Sequence, residues 1–332
     1  MVAQVDYRFI RLSLKKSFTR YLSYAFYEGR PLTTKGRWIN PLVFFLFRMQ
    51  LILPSARKVV KPIFIVGVGR SGTTILGVTL GMHNDVGFLN EPKALWSFLF
   101  HKEDLIGSYQ SKEGSYRLSA SSVDSSLIKN AHQVYGNYLR FACASRIVDK
   151  YPELIFRTDF ISAIFPDARF LFLYRDGNDT CHSIRRWSTE LGVKEKEETH
   201  DWWGRDDRKW NLLCDQIVKY DDSLGVHIKT IRKYNNHEYR AAVEWIVTMK
   251  EGLALLNSKS NCVLGVKYEN YVACLKTRQE VLRFCGLSSD VLFDKFCKSI
   301  LKVPESKPRL KLPIIIQDEF NNVMTLLGYE AL

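Results

Sequence analysis

The chain has 332 residues, of which 46% are hydrophobic and 25% are charged, and its formal net charge at pH 7 is +13. This composition excludes a disordered or collagen-like chain, and the length allows for one large domain or two modest ones. The longest apolar run, Leu42 to Leu53, is shorter than the roughly 20 residues of a membrane-spanning helix and contains Arg48, so neither a transmembrane segment nor a secretory signal is expected.

The positive charge is concentrated in residues 1–61. They contain 12 Lys and Arg against only Asp6 and Glu28, whereas the rest of the chain has a balance of +3. Aromatic residues are interleaved with these charges, and we predict a mostly helical N-terminal extension. Such a segment could lie on an anionic membrane surface, or it could pack on the rest of the protein with its lysines in water. Its composition would also suit a nucleic-acid arm, but no nucleic acid is expected as a partner.

Short apolar runs predict three buried strands, with helices between them. The strands are predicted at residues 63–66, 170–174 and 262–266, and the helices at residues 74–82, 127–148, from 179 onward, 240–257 and 271–285. Strands that alternate with helices indicate an α/β fold in which helices flank a central parallel sheet, with ligands at the carboxyl ends of the strands. Residues 62–332 are therefore predicted to form a single domain.

A charged insertion at about residues 190–240, here called the lid segment, interrupts this domain. It contains Trp202, Trp203 and Trp210, which could stack on sugar faces or anchor the segment itself. The seven cysteines form no Cys-x-x-Cys pair, so we predict buried, reduced thiols. The expected location is the cytoplasm, with residues 1–61 allowing a peripheral position at a membrane.

The first strand is followed by a glycine loop that is typical of phosphate binding. Gly67 and Gly72 have the spacing of the phosphate loop Gly-x-x-x-x-Gly-Lys-Ser/Thr, in which backbone N–H groups and a helix N-terminus bind the anion. The lysine of nucleoside triphosphatases would fall at position 73, which is Thr73, so triphosphate hydrolysis is poorly supported. Arg70 supplies the positive charge instead, which suits a single phosphate bearing one further anionic group.

A second anion site is predicted after the second strand. Arg175 follows this strand, and Ser183 lies eight residues further on, in the next helix. An arginine fork and a hydroxyl can together hold one phosphate. Alone, the pattern is also compatible with a surface arginine and an exposed serine.

Together, the two sites resemble the sulfotransferases that use 3′-phosphoadenosine 5′-phosphosulfate (PAPS), and in particular the tyrosylprotein sulfotransferases. In those enzymes an Arg-Asp-Gly run precedes a His-Ser pair at the same spacing as here, a helix with a central tryptophan follows, as Trp245 does, and a Tyr-Glu pair matches Tyr268-Glu269. The resemblance covers about residues 62–290. It implies a three-layer fold like that of the phosphate-loop enzymes, with PAPS as co-substrate and 3′-phosphoadenosine 5′-phosphate as product.

The resemblance also implies the residues that bind the donor. The 5′-phosphosulfate would be held by Arg70, Ser71, Gly72, Thr73 and Thr74. The 3′-phosphate would be held by Arg175 and Ser183, and Tyr268 would contact the nucleotide. A second basic residue that the family places beside the 3′-phosphate is Trp187 here, and Arg185 or Arg186 could replace it.

Two further residues are candidates for the transfer step. Glu91 lies 21 residues after Arg70, as does the catalytic glutamate of the tyrosylprotein enzymes, and is predicted to be the general base; His83 is the alternative. An incoming sulfonate would raise the pKa of this carboxylate. Lys150 matches the Lys-x-Pro of the family and is predicted, together with Arg70, to stabilise the leaving oxygen. No bound metal is expected.

The predicted function is sulfonate transfer to a hydroxyl of a glycan, a glycolipid or another amphiphile. An ATP-dependent kinase is one alternative, and Thr73 counts against it. A non-catalytic, membrane-associated nucleotide-binding protein is the other, and the presence of every candidate residue counts against it.

Overall fold

A computed structural model describes residues 3–54, 57–110, 114–195, 197–303 and 305–330. The strands are β1 (Ile63–Gly67), β2 (Val86–Asn90), β3 (Arg146–Lys150), β4 (Arg169–Tyr174), β5 (Val193–Glu195), β6 (Glu198–Asp201), β7 (Gly204–Arg205) and β8 (Val263–Lys267). Five of them form a central parallel sheet in the order β2-β3-β1-β4-β8, and β5 to β7 form a small antiparallel sheet. The predicted α/β fold is confirmed; β2 and β3 are not among the predicted strands.

Helices cover both faces of the central sheet. They are α1 (Tyr7–Leu12), α2 (Leu14–Phe26), α3 (Asn40–Ile52), α4 (Thr73–Met82), α5 (Lys93–Leu99), α6 (Ser125–Phe141), α7 (Thr158–Ile164), α8 (Gly177–Leu191), α9 (Arg208–Gln216), α10 (Ile228–Ile231), α11 (His237–Ser258), α12 (Tyr268–Ala273), α13 (Leu275–Phe284), α14 (Val291–Ile300) and α15 (Ile314–Leu326). Alternate residues of β1 enter two different cores: Phe64 and Val66 pack on one face, Ile63 and Ile65 on the other. This two-sided burial explains why β1 is an uninterrupted apolar run.

Two predicted helices are wrong in part. The helix predicted over 127–148 ends at Phe141, because Cys143 has a left-handed backbone (φ 48°) that no α-helix can include, and β3 begins soon after it. The single helix predicted over 271–285 is two helices, because Cys274 is extended and separates α12 from α13. The prediction of buried thiols is also wrong for Cys143 and Cys274, which are exposed.

The lid segment is anchored by two of its tryptophans. Trp203 and Trp210 are fully buried, and their rings meet edge to face at 5.5 Å between centroids. Trp203 Nε1 donates to His237 Nδ1 at 2.9 Å, and Trp210 Nε1 donates to the carbonyl oxygen of Arg232 at 3.2 Å. These two rings therefore hold the segment in place and are not available to a ligand.

Residues 3–54, here called the N-terminal segment, pack against the central sheet and its helices. Phe9 of α1 meets Phe296 of α14 edge to face at 5.1 Å. Lys16 is buried, and its Nζ donates to the carbonyl oxygens of His83 and Val86 at the turn between α4 and β2. The expectation that the lysines here lie in water is thus wrong for Lys16. Within the described ranges, no helix has both the length and the apolar character needed to span a membrane.

Asp149, in β3, is a carboxylate buried in the sheet. Trp96 Nε1 donates to its Oδ2 at 2.9 Å and the Tyr135 hydroxyl at 2.5 Å, whereas its Oδ1 has no partner among the described residues. Burial raises the pKa of Asp149 to about 7, although these hydrogen bonds act in the opposite direction. Below about pH 7, the folded protein therefore favours the protonated carboxyl group of Asp149.

Asp149→Asn should remove part of the pH dependence of stability. The unfolded chain releases this proton near pH 4 and the folded chain near pH 7, so ionisation costs the parent stability as pH rises between these values. Asparagine keeps an acceptor for Trp96 and Tyr135 but does not ionise. The variant should therefore gain stability relative to the parent from about pH 4 to about pH 7, with no further change above. Urea unfolding across this range measures the difference; a pH-independent difference would contradict the prediction.

Candidate active site

The candidate residues meet at one edge of the central sheet. The phosphate loop, residues 67–74, follows β1, and each of the other four strands ends at or just before one further candidate. These candidates are, for β2, β3, β4 and β8 respectively, Glu91, Lys150, Arg175 and Tyr268. Because the strands are parallel, their carboxyl ends share an edge, where ligands bind in such sheets. Each strand therefore contributes one part of the predicted site.

The phosphate loop presents backbone N–H groups at the start of α4. Gly72 caps this helix with a left-handed backbone (φ 101°), and no side chain of the described residues caps it. The Ser71 hydroxyl donates to the carbonyl oxygen of Val68 at 2.6 Å and closes the loop, so Ser71 can offer an anion its backbone N–H. Thr73 and Thr74 form the first turn of the helix, where N–H groups and the helix dipole favour negative charge.

Tyr268 packs directly on this loop. A Cβ built at Gly72 would lie 2.3 Å from the Tyr268 ring, so only glycine fits beneath the ring. The guanidinium of Arg175 lies 4.9 Å from the centroid of the same ring. Tyr268 thus links the phosphate loop to the second anion site.

Gly72→Ala should cost more than the left-handed backbone alone. Alanine at φ 101° pays about 1–2 kcal/mol for the backbone, and the clash with Tyr268 should add about 1–3 kcal/mol. Gly36 is a matched control, because it has φ 89° but no atom within 4 Å of a built Cβ. Thermal unfolding should show a larger loss for Gly72→Ala than for Gly36→Ala. Equal losses would mean that the ring can move aside freely.

Arg175 has an unused donor in the second anion site. Its Nη2 donates to Asp179 Oδ2 at 2.7 Å, but its buried Nε has no hydrogen-bond partner among the described residues. Arg70, in the phosphate loop with φ 71°, donates from Nε to the Ser183 hydroxyl at 3.2 Å. The two predicted anion sites are therefore adjacent and are bridged by the Arg70–Ser183 hydrogen bond.

Three arginines concentrate positive charge around this pair of sites. Burial lowers the pKa of Arg70, Glu91 acts in the opposite direction, and the nearby charges of Arg186 and Arg175 lower it further. Arg185 is already paired, because its Nε lies 3.3 Å from a carboxylate oxygen of Glu238. Of the two arginines suggested as replacements at the position of Trp187, the structure therefore favours Arg186.

Glu91 is held between two lysines. It has a left-handed backbone (φ 50°), Lys150 Nζ donates to its Oε1, and Lys93 Nζ lies 3.3 Å from its Oε2. The Lys150 side chain is buried, whereas that of Glu91 is 37% exposed. Burial alone would raise the pKa of Glu91, but the two ammonium groups outweigh it and hold the pKa well below its usual value. The pKa of Glu91 is therefore low in this structure, and the rise expected from an incoming sulfonate would start from that low value.

Lys93 belongs to a row of alternating positive and negative side chains that was not predicted from the sequence. Lys93 Nζ lies 3.5 Å from Glu153 Oε1, and Lys209 of the lid segment reaches the same Glu153 oxygen at 3.2 Å and Glu244 at 2.7 Å. Burial would lower the pKa of Lys209, but Glu244 and Glu153 raise it overall. This network ties the lid segment to the candidate base. Lys93 could have been found from its place two residues after Glu91; the others have no local signal.

A cavity of about 570 Å³ opens beside Glu91, between the phosphate loop, the lid segment and the N-terminal segment. Trp202 packs on the loop, since a Cβ at Gly69 would lie 2.3 Å from its ring, and Trp187 meets Trp202 edge to face at 5.5 Å. Both tryptophans line the cavity, as do residues 31–34. Trp202, unlike the two other tryptophans of the lid segment, therefore reaches the cavity wall, while Lys209 Nζ lies 4.5 Å from the centroid of its ring.

The N-terminal segment also supports the backbone next to Glu91. Arg20 and Glu28 are buried and form a two-pronged ion pair with N–O distances of 2.6 and 2.8 Å. Glu28 Oε1 additionally accepts a hydrogen bond from the N–H of Asn90, the residue before Glu91, at 2.7 Å. The backbone beside the candidate base is thus held by a carboxylate of the N-terminal segment.

The alternative base, His83, lies away from the site. It follows the C-terminal end of α4, opposite the phosphate loop, and is buried. Its Nε2 is 3.0 Å from the carbonyl oxygen of Ser288, and its Nδ1 accepts from the N–H of Asp85 at 3.1 Å. Both ring nitrogens are therefore occupied by the backbone. In the part of the chain that the structure describes, no cluster of His, Cys, Asp and Glu is arranged to hold a metal ion.

Comparison with known proteins gives one family. A sequence profile described as the sulfotransferase family matches residues 62–227. Protein-tyrosine sulfotransferase 1 of Homo sapiens is 31% identical over 130 residues, which are 37% of this chain and 33% of that protein. Protein-tyrosine sulfotransferase of Drosophila melanogaster is 30% identical over 125 residues, 37% of this chain and 24% of that protein. The matched region thus spans a third or less of these relatives.

Two solved structures are similar to this chain at low sequence identity and with TM-scores below 0.5. A sulfotransferase domain from the curacin biosynthetic pathway is 14% identical with a TM-score of 0.48, covering 83% of this chain and 100% of that domain. A sulfotransferase domain from the Synechococcus PCC 7002 olefin synthase is 15% identical with a TM-score of 0.49, covering 84% of this chain and 98% of that domain.

Proposed function

This chain belongs to the sulfotransferase family, and we propose that it transfers the sulfonate group of PAPS to an acceptor hydroxyl. The observation that carries the proposal is the meeting of five candidate groups, one from each parallel strand, at a single sheet edge. The phosphate loop and the arginines can bind the two anionic ends of a nucleotide donor, Glu91 can act as a base, and the buried Lys150 can stabilise a leaving oxygen.

The two adjacent anion sites fit the two ends of the donor. The N–H groups at the start of α4, with Arg70, would hold the 5′-phosphosulfate. The unused Nε of Arg175 and the Ser183 hydroxyl would hold the 3′-phosphate. Tyr268, packed between the two sites, would contact the nucleotide that joins them. Arg186 would supply the second positive charge beside the 3′-phosphate.

The transfer step follows from the positions of Glu91 and Lys150. Glu91 would accept the proton of the acceptor hydroxyl while the acceptor oxygen forms a bond to sulfur. The bond between sulfur and the bridging oxygen of the 5′-phosphate breaks, and that oxygen keeps the electron pair. Lys150, with Arg70, would stabilise the charge on this oxygen, and 3′-phosphoadenosine 5′-phosphate would leave. No metal takes part in this scheme.

Lys150 would have two alternating partners during this reaction. In the structure its ammonium group is bonded to Glu91, and the lysine pair lowers the pKa of this carboxylate. A developing negative charge on the leaving oxygen would attract Lys150 away from Glu91. Loss of that contact raises the pKa of Glu91 and makes it a stronger base when the proton must be taken.

For the acceptor, we propose a hydroxyl of a glycan, a glycolipid or another amphiphile. The cavity beside Glu91 combines the indole of Trp202 with polar groups such as Asn90 and Gln4. Sugars present both an apolar face for stacking and hydroxyls for such polar groups. The relatives named above are protein-tyrosine sulfotransferases, so a tyrosine hydroxyl is the competing acceptor.

Transfer of labelled sulfonate from PAPS tests the proposal. The acceptor panel should contain soluble saccharides, glycolipids in vesicles and a tyrosine peptide, with Glu91→Gln as the control that binds donor but does not transfer. Labelled product from a saccharide or glycolipid supports the full proposal, and product from the peptide alone supports the reaction but overturns the acceptor. Transfer of phosphate from ATP with Mg²⁺ in its place would establish the kinase alternative.

A further inference from the structure

The outer face of α3 exposes a continuous apolar stripe. Large apolar side chains recur there every three or four residues, as expected for one face of a helix. What we call the apolar face of α3 consists of Leu42, Phe45, Met49 and Ile52 of the helix, together with Trp38 just before it and Leu53 just after it. Trp38 is 82% exposed and Ile52 75%, so these side chains are not covered by the described part of the chain.

The opposite face of α3 is fixed in the core. Val43 and Phe47 are fully buried, and the Phe44 ring packs against Tyr109 at 6.2 Å between centroids. The apolar face therefore stands on a rigid support. Contiguous exposed apolar patches of this kind usually mark the site at which a protein binds a partner or a membrane.

Positive charge accompanies the apolar face. Residues 29–61 contain no Asp or Glu, and Arg37 and Arg48 are both exposed at the border of the stripe. Arg37 forms a long ion pair, in which the exposed carboxylate of Glu195 lies 4.0 Å from its guanidinium. An apolar helix face with a basic border and a tryptophan at one end matches the chemistry of a membrane interface that carries anionic lipids.

We propose that the apolar face of α3 docks on an anionic membrane surface, with the helix lying in the plane of the interface. The helix does not enter further, because its inner face is committed to the core. Within residues 1–61, the proposal assigns the membrane contact to this face of α3; Lys16 and Arg20 of α2 are buried and cannot take part in it.

The docked face would bring the cavity to the membrane. Residues 31–34 and Tyr109 line the cavity, and the same Tyr109 packs against α3. An acceptor anchored in the membrane could therefore present its hydroxyl to Glu91 without leaving the lipid. This consequence, an amphiphilic acceptor, rests on the proposed function; the docking itself does not.

Flotation with vesicles tests the docking. The purified chain should bind vesicles of phosphatidylcholine mixed with phosphatidylglycerol, and bind pure phosphatidylcholine weakly. Phe45→Ser with Ile52→Ser should reduce partitioning about tenfold or more, since two large apolar side chains lose their contact with lipid. Arg37→Gln and Arg48→Gln should each reduce it about fivefold, and salt should weaken binding.

Matched controls separate this face from general surface apolarity. Val226 and Ile314 are 78% and 74% exposed but lie outside α3, so Val226→Ser with Ile314→Ser should bind as the parent does. Equal loss in both double variants, or no vesicle binding by the parent, would overturn the proposal. A dimer in the absence of lipid would also overturn the proposal if the double variant Phe45→Ser with Ile52→Ser is a monomer. The face would then join two copies of the chain, and analytical ultracentrifugation would show this.

Calorimetry with 3′-phosphoadenosine 5′-phosphate on the same preparations keeps the two proposals separate. Normal nucleotide binding without vesicle binding overturns the docking alone. Vesicle binding without nucleotide binding supports the docking and contradicts the proposed function.

Discussion

Glu91→Gln should reduce the rate of sulfonate transfer by about 100- to 10,000-fold, the usual contribution of a general base. Glutamine keeps the shape of Glu91 and an oxygen for Lys150, so the site should remain assembled but unable to accept the proton. Steady-state kinetics should show the loss in kcat, with binding of the nucleotide product little changed.

The matched control for this variant is His83→Gln. Because both nitrogens of His83 contact the backbone behind α4, the folded variant should transfer sulfonate nearly as fast as the parent. If His83→Gln loses activity and Glu91→Gln keeps it, the assignment of the base is wrong.

Lys150→Met should reduce kcat by about 100- to 1,000-fold, the usual effect of removing a single donor to a developing oxyanion. Methionine fills the buried volume of Lys150, and Glu91 keeps Lys93 at 3.3 Å, so the fold should persist. The variant should also change the pH profile. Burial raises the pKa of Glu91 and Lys150 lowers it, so without Lys150 the pKa rises and the acidic limb of kcat/KM moves to higher pH.

Lys93→Met separates the two roles of Lys150. Lys93 also lowers the pKa of Glu91, but no role at the leaving oxygen is proposed for it. This variant should therefore move the acidic limb in the same direction while largely keeping the plateau rate. If Lys93→Met and Lys150→Met lose the same amount of kcat at the pH optimum, the assignment of Lys150 to the leaving oxygen is contradicted.

The anion sites could be predicted from the sequence because their parts are local. Residues 67–74 run from the end of β1 through a short loop into α4, and Ser183 lies only eight residues after Arg175. Such short-range patterns report backbone geometry directly. Glu91 and Lys150 required the resemblance to a family, because the strands that carry them were not predicted.

Those two strands lack the usual apolar signal. β2 contains Gly87 and ends in Asn90, and β3 has only two apolar residues between Arg146 and Asp149. Asp149 can be buried in β3 only because Trp96 and Tyr135, distant in sequence, donate to it. Tertiary contacts of this kind override local propensity and are invisible in a short window.

The alternating charges beside Glu91 were missed for a related reason. Lys209 bridges Glu153 and Glu244, which lie on separate elements and far apart in the chain. In the sequence, each of these residues is compatible with an ordinary solvated position. The cavity bordered by Glu153 and Lys209 likewise exists only when the lid segment and the N-terminal segment are in place.

Calorimetric titration with 3′-phosphoadenosine 5′-phosphate tests the central claim most directly. The parent should bind this nucleotide and ignore ATP with Mg²⁺. Arg175→Ala should weaken binding by about 10- to 150-fold, the effect of losing a charged hydrogen bond, while Arg185→Ala, which removes an arginine directed at Glu238, should bind as the parent does. Absence of binding by the parent, or ATP binding in its place, would contradict the assignment of PAPS as the donor.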